Sequence, residues 1–453
     1  MKRRQFVAAA LGTLVLPAVG CQQTNDTSEP TPKSTVDNSD GGIRAAFQFA
    51  YPIYEYARVA QNRTQALNGQ SGSLNVLRHR SVLMDHTRRN ITGPNVDTLY
   101  SSVFLDLSGG PIELIVPTDL TRYFSIAFMN TLADNFAYIG TRATAGKGGR
   151  FLLAGPNWDG ETPDGSTLVR CDSNDVWMLG RTLVSGPEDL EAAVALQTQI
   201  RLNVPSTNPP ARAFRASAGG DLTGESFLAV VNDVLARSPN PNGELARADN
   251  FRAFGIGSDS VSRELIAQWD AFIPQGLREL REKFLYRDLI IDGWAYQEKG
   301  VGDFKTNDAL RAAVALGGLA ALSEQEAMYF HANLDPDGQL LRGDRTYRWR
   351  VPAGGVPADA FWSLTMYETL EDGRHFLTEN EINRYAIGDR TKGLHIEPDG
   401  SFEILIQSDM PAPDQQSNWL PAPKGRFRLA LRAYLPGQPL LDRVWTVPPL
   451  LAD

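Results

Sequence analysis

Hydrophobic and polar positions alternate along two separate stretches of the chain, and both stretches predict β-strands. In the first stretch, residues 99–184, Phe124, Ile126 and Phe128 alternate with less apolar neighbours. The second stretch contains three such runs, at residues 347–351, 402–407 and 426–432. A period of two with aromatic and branched side chains on one face is typical of an antiparallel sheet that packs on one side.

Apolar side chains recur at helical spacing before and between these stretches. The predicted helices lie at residues 45–67, 185–202, 262–284 and 307–322. Residues 312–322 are very apolar, but eleven residues are too few to cross a bilayer, so they predict a buried core helix. No strand–helix–strand rhythm repeats along the chain, which argues against a doubly wound parallel sheet.

These patterns predict a mainly β fold in which two antiparallel β-sandwich domains are separated by helices. The N-terminal helix and the first sandwich are expected at residues 43–204, the helical segment at 205–330 and the second sandwich at 331–453. The chain has 453 residues, of which 42% are hydrophobic, and this is enough material for more than one such core.

The first 21 residues have the pattern of a bacterial export signal. Lys2, Arg3 and Arg4 precede an apolar run at residues 6–19, which is shorter than the roughly 20 residues of a transmembrane helix. The paired arginines, followed by one polar and two apolar residues, also resemble the twin-arginine export signature. The sequence leaves both the general and the twin-arginine route open.

Cys21 follows small residues in the manner of a bacterial lipoprotein box, with Ala18 where leucine is usual. The polar residues 22–42 then have the composition of a flexible tether. We therefore expect a lipid on Cys21 to anchor the mature protein to the inner or the outer membrane of the cell envelope. The alternative is a plain secretory signal with a chance cysteine.

The net charge and the number of cysteines argue against some classes of function. The formal net charge is −9, and removal of Lys2, Arg3 and Arg4 with the signal makes it more negative, which argues against a nucleic-acid partner. The chain has two cysteines, and lipidation of Cys21 leaves Cys171 without a disulfide partner. The net acidic neighbours of Cys171 tend to raise a thiol pKa, so we predict a buried cysteine and not a nucleophile.

Long motifs in both strand-rich stretches resemble two domain families that have no assigned function. Residues 95–101, 105–107, 135–142 and 177–182 resemble the domain of unknown function numbered 1254. Residues 361–367, 383–385, 418–423 and 431–434 resemble its usual C-terminal partner, numbered 1214. The resemblance spans roughly residues 43–450 and implies two jelly-roll-like β-sandwiches separated by a helical segment. It implies no reaction.

The strong catalytic and metal-binding motifs are missing from the sequence. G-x-S-x-G does not occur, and the five histidines show no zinc-site spacing. A zinc site of His79 and His86, completed by Asp85 or Asp97, is a weak alternative. Residues 333–344 approach an EF-hand calcium loop but favour a hairpin turn. We therefore predict no metal and no cofactor, and nothing in the sequence selects two facing carboxylates for glycoside hydrolysis.

The most distinctive polar cluster begins with four arginines and two histidines at residues 78–89. Guanidinium groups bind carboxylates and phosphates through paired hydrogen bonds. The candidate anion-binding residues of this cluster are His86, Arg88, Asn95, Asp97 and Tyr100. His86 beside Asp97 would form an oriented acid–base pair. The simpler interpretation of the cluster is a salt-bridged structural segment.

The second sheet and the family motifs add further candidates. Trp362, Tyr367 and Trp419 provide aromatic surfaces near strands that carry Arg432, a combination that suits sugars or anionic aromatic molecules. Packing of the tryptophans into the sandwich core is the simpler interpretation. Arg142 and Arg181, which lie in the family motifs, complete the set.

Two function classes follow from this sequence. The first is an envelope-anchored lipoprotein that binds a small anionic ligand or a glycan, or that assembles with a partner. The alternative is an enzyme that acts on a small anionic or glycan substrate in the periplasm or at the cell surface. The absence of strong catalytic motifs favours the first class, and self-association is left open.

Overall fold

The structure, a computed structural model, describes residues 40–64, 73–89, 91–118, 120–215, 221–240, 243–285 and 289–453. The predicted export signal with Cys21 and residues 22–39 of the predicted tether lie outside the described residues. Helix α1 (Asp40–Thr64) begins before the predicted end of the tether at residue 42, so the last residues of that segment are helical.

The strands of the N-terminal half form two sheets in the described part of the chain. They are β1 (Arg78–His79), β2 (Thr98–Asp106), β3 (Ile112–Val116), β4 (Phe124–Met129), β5 (Asn135–Gly140), β6 (Gly149–Ala154), β7 (Ser166–Arg170), β8 (Asp175–Leu183) and β9 (Arg201–Asn203). One sheet has the order β1-β2-β8-β4-β5, and the other has the order β7-β6-β3-β9. All pairs are antiparallel except β6 with β7, which is parallel.

These two sheets enclose the first core because alternate side chains of each strand point between them. Val176 and Met178 of β8 pack there with Leu105 of β2 and with Leu114 of the opposite sheet. Cys171 follows β7 and is buried in the same core. Cys171 is therefore buried as predicted, and burial, followed by the neighbouring Asp172 carboxylate, raises the pKa of its thiol.

The strands of the C-terminal half repeat this arrangement. They are β10 (Ile290–Ile291), β11 (Trp294–Tyr296), β12 (Ala327–Ala332), β13 (Tyr347–Val351), β14 (Ala358–Thr369), β15 (His375–Phe376), β16 (Ala386–Gly388), β17 (Phe402–Gln407), β18 (Trp419–Pro421), β19 (Phe427–Pro436) and β20 (Leu450–Ala452). One sheet has the order β10-β11-β12-β19-β14-β15, with β16 also paired to β14, and the other has the order β18-β17-β13-β20.

The second core lies between these two sheets and is rich in aromatic side chains. Trp349 of β13 packs against Trp294 at 6.2 Å and against Trp362 at 5.9 Å between ring centroids. Trp362 stacks on Phe402 at 5.1 Å. The period-two runs of the sequence therefore form strands whose apolar faces meet inside a sheet pair, as predicted.

The remaining α-helices of the described residues are α2 (Leu190–Gln197), α3 (Gly224–Arg237), α4 (Arg263–Leu285), α5 (Asp308–Gly318) and α6 (Gln438–Leu441). The helices α3 and α4 lie between the strands of the two halves in sequence, whereas α2 lies between β8 and β9 and α5 lies between β11 and β12. Three 3₁₀ helices span Pro187–Asp189, Glu244–Phe254 and Gln416–Asn418. None of the described helices is long and apolar enough to cross a membrane.

Polar caps and aromatic packing fix the helical layer. The Thr223 and Ser226 side chains form a capping box at the start of α3, and the Asn307 side chain accepts a hydrogen bond from the Leu310 amide at the start of α5. Phe47 of α1 packs against Phe227 of α3 and Trp269 of α4. These helices cover part of the face of the β1-β2-β8-β4-β5 sheet that points away from the first core.

Two predicted helical boundaries are wrong. The helix expected at residues 185–202 is shortened to α2, because the residues after it form β9, which pairs with β3. The segment expected to be helical at 205–330 also contains β10, β11 and the start of β12. These strands belong to the second half, because β11 pairs with β12 and β12 pairs with the long strand β19 along its whole length.

The described residues, which begin at residue 40, form one compact unit. The protein is mainly β, with helices packed beside the sheets. Both faces are buried along the whole of β8 and along most of β14 and β19. The expectation that each sheet packs on one side only is therefore wrong for the central strands.

Candidate functional site

A cavity of about 1650 Å³ lies between the outer faces of the two large sheets. Side chains of β2 and β8 form one wall, and side chains of β12 and β19 form the opposite wall. The alternation that sends Val176 and Met178 into the first core sends Leu179 and Arg181 towards the cavity. In the same way, β19 buries Leu429 and Leu431 in the second core while Arg428 and Arg432 line the cavity.

The cavity wall is strongly basic. Its arginines are Arg63, Arg78, Arg80, Arg181, Arg281, Arg374, Arg428 and Arg432. Among the described residues, Asp372 is the only acidic side chain that lines it, and this carboxylate already pairs with Arg374 at 2.7 Å. A protein of net charge −9 thus carries a local excess of positive charge around one cavity.

Arg181 lies on the central strand β8 in one wall, and among the described residues its guanidinium donates a hydrogen bond to a neutral group. It is the cross-strand neighbour of Tyr100 on one side and of Ser125 on the other, and its guanidinium lies over the Tyr100 ring at 5.5 Å. The side chain is 6% exposed, Nη2 donates to the Ala320 carbonyl oxygen at 3.1 Å, and the buried Nη1 has no partner among the described residues. A buried charge without a counter-charge costs free energy.

Arg432 has the same character on the opposite wall. It is also 6% exposed, and its guanidinium donates to the hydroxyl oxygens of Thr365 and Tyr367, each at 2.7 Å. Nη2 also donates to the carbonyl oxygen of Gly93 at 3.3 Å. Gly93 has a φ of 59°, a left-handed conformation that favours glycine and lets the loop before β2 reach this arginine.

Burial favours the neutral forms of several side chains in the cavity wall. Burial, helped by the charge of Arg428, lowers the pKa of His375 to about 4. Burial also lowers the pKa of His79. Burial raises the pKa of Tyr329 to about 12, so its hydroxyl keeps its proton. Arginine therefore supplies positive charge to the cavity, while Tyr329 supplies a neutral hydroxyl group.

Five of the eleven candidate site residues predicted from the sequence line this cavity. They are Asn95, Tyr100, Arg181, Tyr367 and Arg432. The structure brings them together from both halves of the chain. Asn95 donates to the Tyr434 hydroxyl oxygen at 2.6 Å, and the Tyr367 hydroxyl donates to the Pro94 carbonyl oxygen at 2.6 Å. The loop before β2 is thereby fixed to the second half of the molecule.

The proposed pairing of His86 with Asp97 is wrong. His86 lies beside Tyr385, with 2.7 Å between Nδ1 and the hydroxyl oxygen. Asp97 is buried, forms an ion pair with Arg390 at 2.9 Å and accepts a hydrogen bond from the Ser363 hydroxyl at 2.6 Å. Arg88 is exposed, and none of these three predicted residues lines the cavity.

The remaining candidate residues, Trp362, Trp419 and Arg142, contribute to packing and ion pairs and do not line the cavity. Trp362 and Trp419 are buried, so neither offers a platform for a sugar, and the interpretation as core residues is correct for both. The Trp419 indole donates to the Gln407 carbonyl oxygen at 3.0 Å. Arg142 forms an ion pair with the buried carboxylate of Glu326 at 2.7 Å, which joins the two halves of the chain.

The near-calcium loop at residues 333–344 forms the turn that its sequence favours. Asp335 accepts hydrogen bonds from the amides of Asp337 and Gln339, and Gly338 has a φ of 76°. Over the part of the chain that the structure describes, no group of three or more His, Cys, Asp and Glu side chains is arranged to hold a metal ion. His79 instead contacts the Ser101 hydroxyl and the Ile200 carbonyl oxygen.

Several basic members of the cavity are not among the candidate residues predicted from the sequence. Alternation along the strand predicts that Arg428 lies on the outward face with Arg432, and the same alternation could have placed His331 on the cavity side of β12. Arg63 and Arg281 lie near the ends of α1 and α4 and reach the cavity through the packing of those helices. No local pattern in the sequence distinguishes these two from other helical arginines.

Two facing sheet pairs with a basic cavity between them define a mainly β protein whose site is built from both halves. Two family models match the chain: protein of unknown function (DUF1254) at residues 74–204 and protein of unknown function (DUF1214) at residues 326–438. The chain therefore belongs to the proteins that join DUF1254 on the N-terminal side to DUF1214 on the C-terminal side. A search of curated proteins found no match.

Solved structures include similar chains. The VPA0106 protein from Vibrio parahaemolyticus is 24% identical, with a TM-score of 0.72 over 90% of this chain and 98% of that chain. This likeness shows that the two chains share a fold. An uncharacterized protein from Burkholderia cenocepacia is 13% identical, with a TM-score of 0.44 over 93% of this chain and 91% of that chain.

Proposed function

We propose that this protein is a binding module that holds a small organic anion in the cavity between its two large sheets. The observation that carries the proposal is the presence of Arg181 and Arg432, two buried guanidinium groups on opposite walls with only neutral hydrogen-bond partners. The charge of Asp97 acts on Arg432, but this carboxylate is already paired with Arg390, so neither guanidinium has a carboxylate bonded to it directly among the described residues. An anion between the two guanidinium groups would supply that partner, and paired hydrogen bonds to carboxylate or phosphate suit this side chain.

The rest of the cavity supports the same function. Positive charge near the entrance attracts anions, and Arg78 and Arg80 are exposed members of the wall. Asp372, the one carboxylate that the described residues contribute to the wall, is already paired with Arg374, so it competes little with a ligand. The Tyr329 hydroxyl, which stays protonated, adds a neutral donor at the site.

The location that we propose comes from the sequence. The signal pattern of residues 1–21 and the cysteine at its end support export and a lipid anchor in the cell envelope, so the cavity would work outside the cytoplasm. We also propose, from the family resemblance, that each sheet pair is a jelly-roll-like sandwich. Assembly with a partner and self-association remain predictions of the same kind.

The proposal is tested with the purified full chain and a panel of small carboxylates and phosphate esters, each matched with its uncharged amide or alcohol. We expect the anions to raise the melting temperature and the neutral counterparts to have no effect. Arg181→Gln removes a charged donor, so it should weaken anion binding by about tenfold or more. Arg350→Gln is the matched control, because Arg350 is exposed and pairs with Glu403 outside the cavity.

Binding and turnover are separated by mass spectrometry of the ligand recovered after incubation. An unchanged ligand supports a binding module, and a changed ligand supports an enzyme. Equal binding of charged and neutral partners, or full affinity in the Arg181→Gln protein, would contradict the proposal.

A further inference from the structure

The wall formed by β2 and β8 changes from polar to apolar along its length. Tyr100 is paired with Arg181 at one end of the ladder, and Ser102 is paired with Leu179 two residues further along. The next pair on the same face is Phe104 with Trp177, whose rings stack at 4.8 Å. Alternate residues of a strand are about 7 Å apart, so an arginine and an aromatic pair are about 14 Å apart on one continuous surface.

Other elements extend the apolar end of this surface. The last turn of α5 and the residues after it add Leu316 and Leu319 to the cavity wall, and both side chains are half-buried. Arg181 joins the two regions, because its Nη2 donates to the carbonyl oxygen of Ala320 directly after Leu319. More of the cavity wall is apolar than polar, although so many arginines line it.

Apolar side chains also lie where the cavity meets solvent. Val76 and Val82 are each 48% exposed, and Ile91 is 38% exposed. All three line the cavity, so the cavity opens on the side of β1. An apolar wall in contact with water is unfavourable, and a ligand that covers it gains hydrophobic free energy. A compact anion such as phosphate would satisfy the arginines and leave this surface wet.

We infer that the ligand is an amphiphilic anion, with its carboxylate or similar head at Arg181 and Arg432 and an aliphatic chain against Leu179, Leu316 and Leu319. This inference rests on the proposed function and specifies its ligand class. The volume of about 1650 Å³ accommodates a chain of this kind together with its head group. The head satisfies the two buried guanidinium groups, and the chain covers the apolar wall next to them.

The test is a calorimetric titration of the full chain with linear carboxylates from butanoate to decanoate, with the matching linear alcohols and with inorganic phosphate. Each buried methylene contributes about 0.8 kcal/mol, so affinity for the carboxylates should rise by up to about fourfold for each added methylene. The alcohols should bind more weakly at every length. Phosphate should bind no better than butanoate.

Two variants locate the head and the chain. Arg181→Gln should weaken butanoate and decanoate by the same factor, because it removes only the contact with the head. Leu316→Asn should reduce the gain from butanoate to decanoate. Val204→Asn is its control, because Val204 is an apolar side chain, 40% exposed, that does not line the cavity. If Leu316→Asn does not fold, the chain-length series on the unaltered protein still decides.

Failure of this inference is distinguishable from failure of the proposed function. Carboxylates that bind with no dependence on chain length, and that lose affinity in Arg181→Gln, would overturn the amphiphile and leave the anion site standing. A full chain-length gain in Leu316→Asn would overturn the placement of the chain. Alcohols that bind as well as carboxylates, or no binding by any compound of the series, would overturn both.

Discussion

At the scale of single residues, the buried arginines of this protein fall into two groups. Arg237 has its counter-charge, because it pairs with Asp175 at 2.7 Å and both side chains are almost fully buried. Arg311 is likewise surrounded by carboxylates, with Asp134 at 2.8 Å. Arg181 and Arg432 are as deeply buried, but among the described residues they donate hydrogen bonds to neutral oxygens. The ion pairs of the first group stabilise the fold, whereas the arginines of the second group are available to bind an anionic ligand.

The lowered pKa of His375 should make the stability of the protein depend on pH. His375 lies in the cavity wall, and burial, with Arg428 nearby, lowers its pKa from 6.5 to about 4. Between those two pH values the unfolded chain binds more protons than the folded one, so the free energy of unfolding falls as pH falls through this window. Above pH 6.5 the group has no effect. His375→Gln should remove this part of the pH dependence.

The measurement is urea unfolding of both proteins at pH 8 and pH 5. Because His375 is half-buried and solvent weakens such effects, we expect the unaltered protein to lose about 1–2 kcal/mol more than His375→Gln between the two pH values. The other titrating groups are common to both proteins and cancel in the difference. Equal losses in the two proteins would show that His375 is not held neutral by the fold.

At the scale of elements, the period-two runs predicted strands such as β4, β13, β17 and β19, and the helical spacing predicted α4 and the core of α5. These predictions succeed because each element has one face in its own local core. Sequence could not show that the second face of the central strands is also buried. Part of that face meets a sheet from the other half of the chain and part is covered by helices, so polar residues of the junction and the cavity lie on it beside apolar ones.

The loop before β2 contains examples of both interpretations that the sequence leaves open for its polar residues. Asp97 joins the two halves through Arg390 and Ser363, as a salt-bridged structural segment would. Asn95, from the same loop, contacts both this junction and the cavity wall. Asp97 and Arg390 are nearly three hundred positions apart in the sequence, so no local pattern predicts that they form a pair. The residue types were informative, but their partners could not be read from spacing.

Asp97→Asn tests the structural role of this loop. The substitution keeps the shape of the side chain and removes the closer of the two carboxylates that pair with the mostly buried Arg390, so that the longer ion pair with Asp389 at 3.4 Å is left. Breaking a buried pair in this way should lower the free energy of unfolding by about 1–3 kcal/mol, less than for a fully buried pair because Arg390 keeps some exposure and its ion pair with Asp389. The measurement is denaturant unfolding at neutral pH.

The control for Asp97→Asn is Asp359→Asn, because Asp359 is exposed and lies at the start of β14 away from the junction. A surface substitution of this kind should change stability by less than about 0.5 kcal/mol. If Asp97→Asn costs no more than this control, the ion pair with Arg390 does not stabilise the junction.

At the scale of the whole molecule, the two family matches and the helices between them form one unit with one large cavity. Glu326 illustrates the integration, because its buried carboxylate accepts from the Tyr123 hydroxyl at 2.8 Å and pairs with Arg142, both from the other half. A site shared by both halves gives a physical reason for the two families to occur together in this chain: neither half alone supplies Arg181 and Arg432.

The anchoring of this unit is the prediction that belongs to the whole molecule, and the two cysteines of the chain provide the experiment. A lipid on Cys21 would hold the protein at a membrane, because each buried methylene of an acyl chain contributes about 0.8 kcal/mol. Cys21→Ala should therefore move the protein from the membrane fraction to the soluble fraction of the cell envelope. Cys171→Ala is the matched control: this thiol is buried in the first core, so its loss should lower stability slightly and leave the protein in the membrane fraction. Fractionation on sucrose gradients followed by immunoblotting measures both. A Cys21→Ala protein that stays with the membranes would contradict the prediction of a lipid anchor on Cys21.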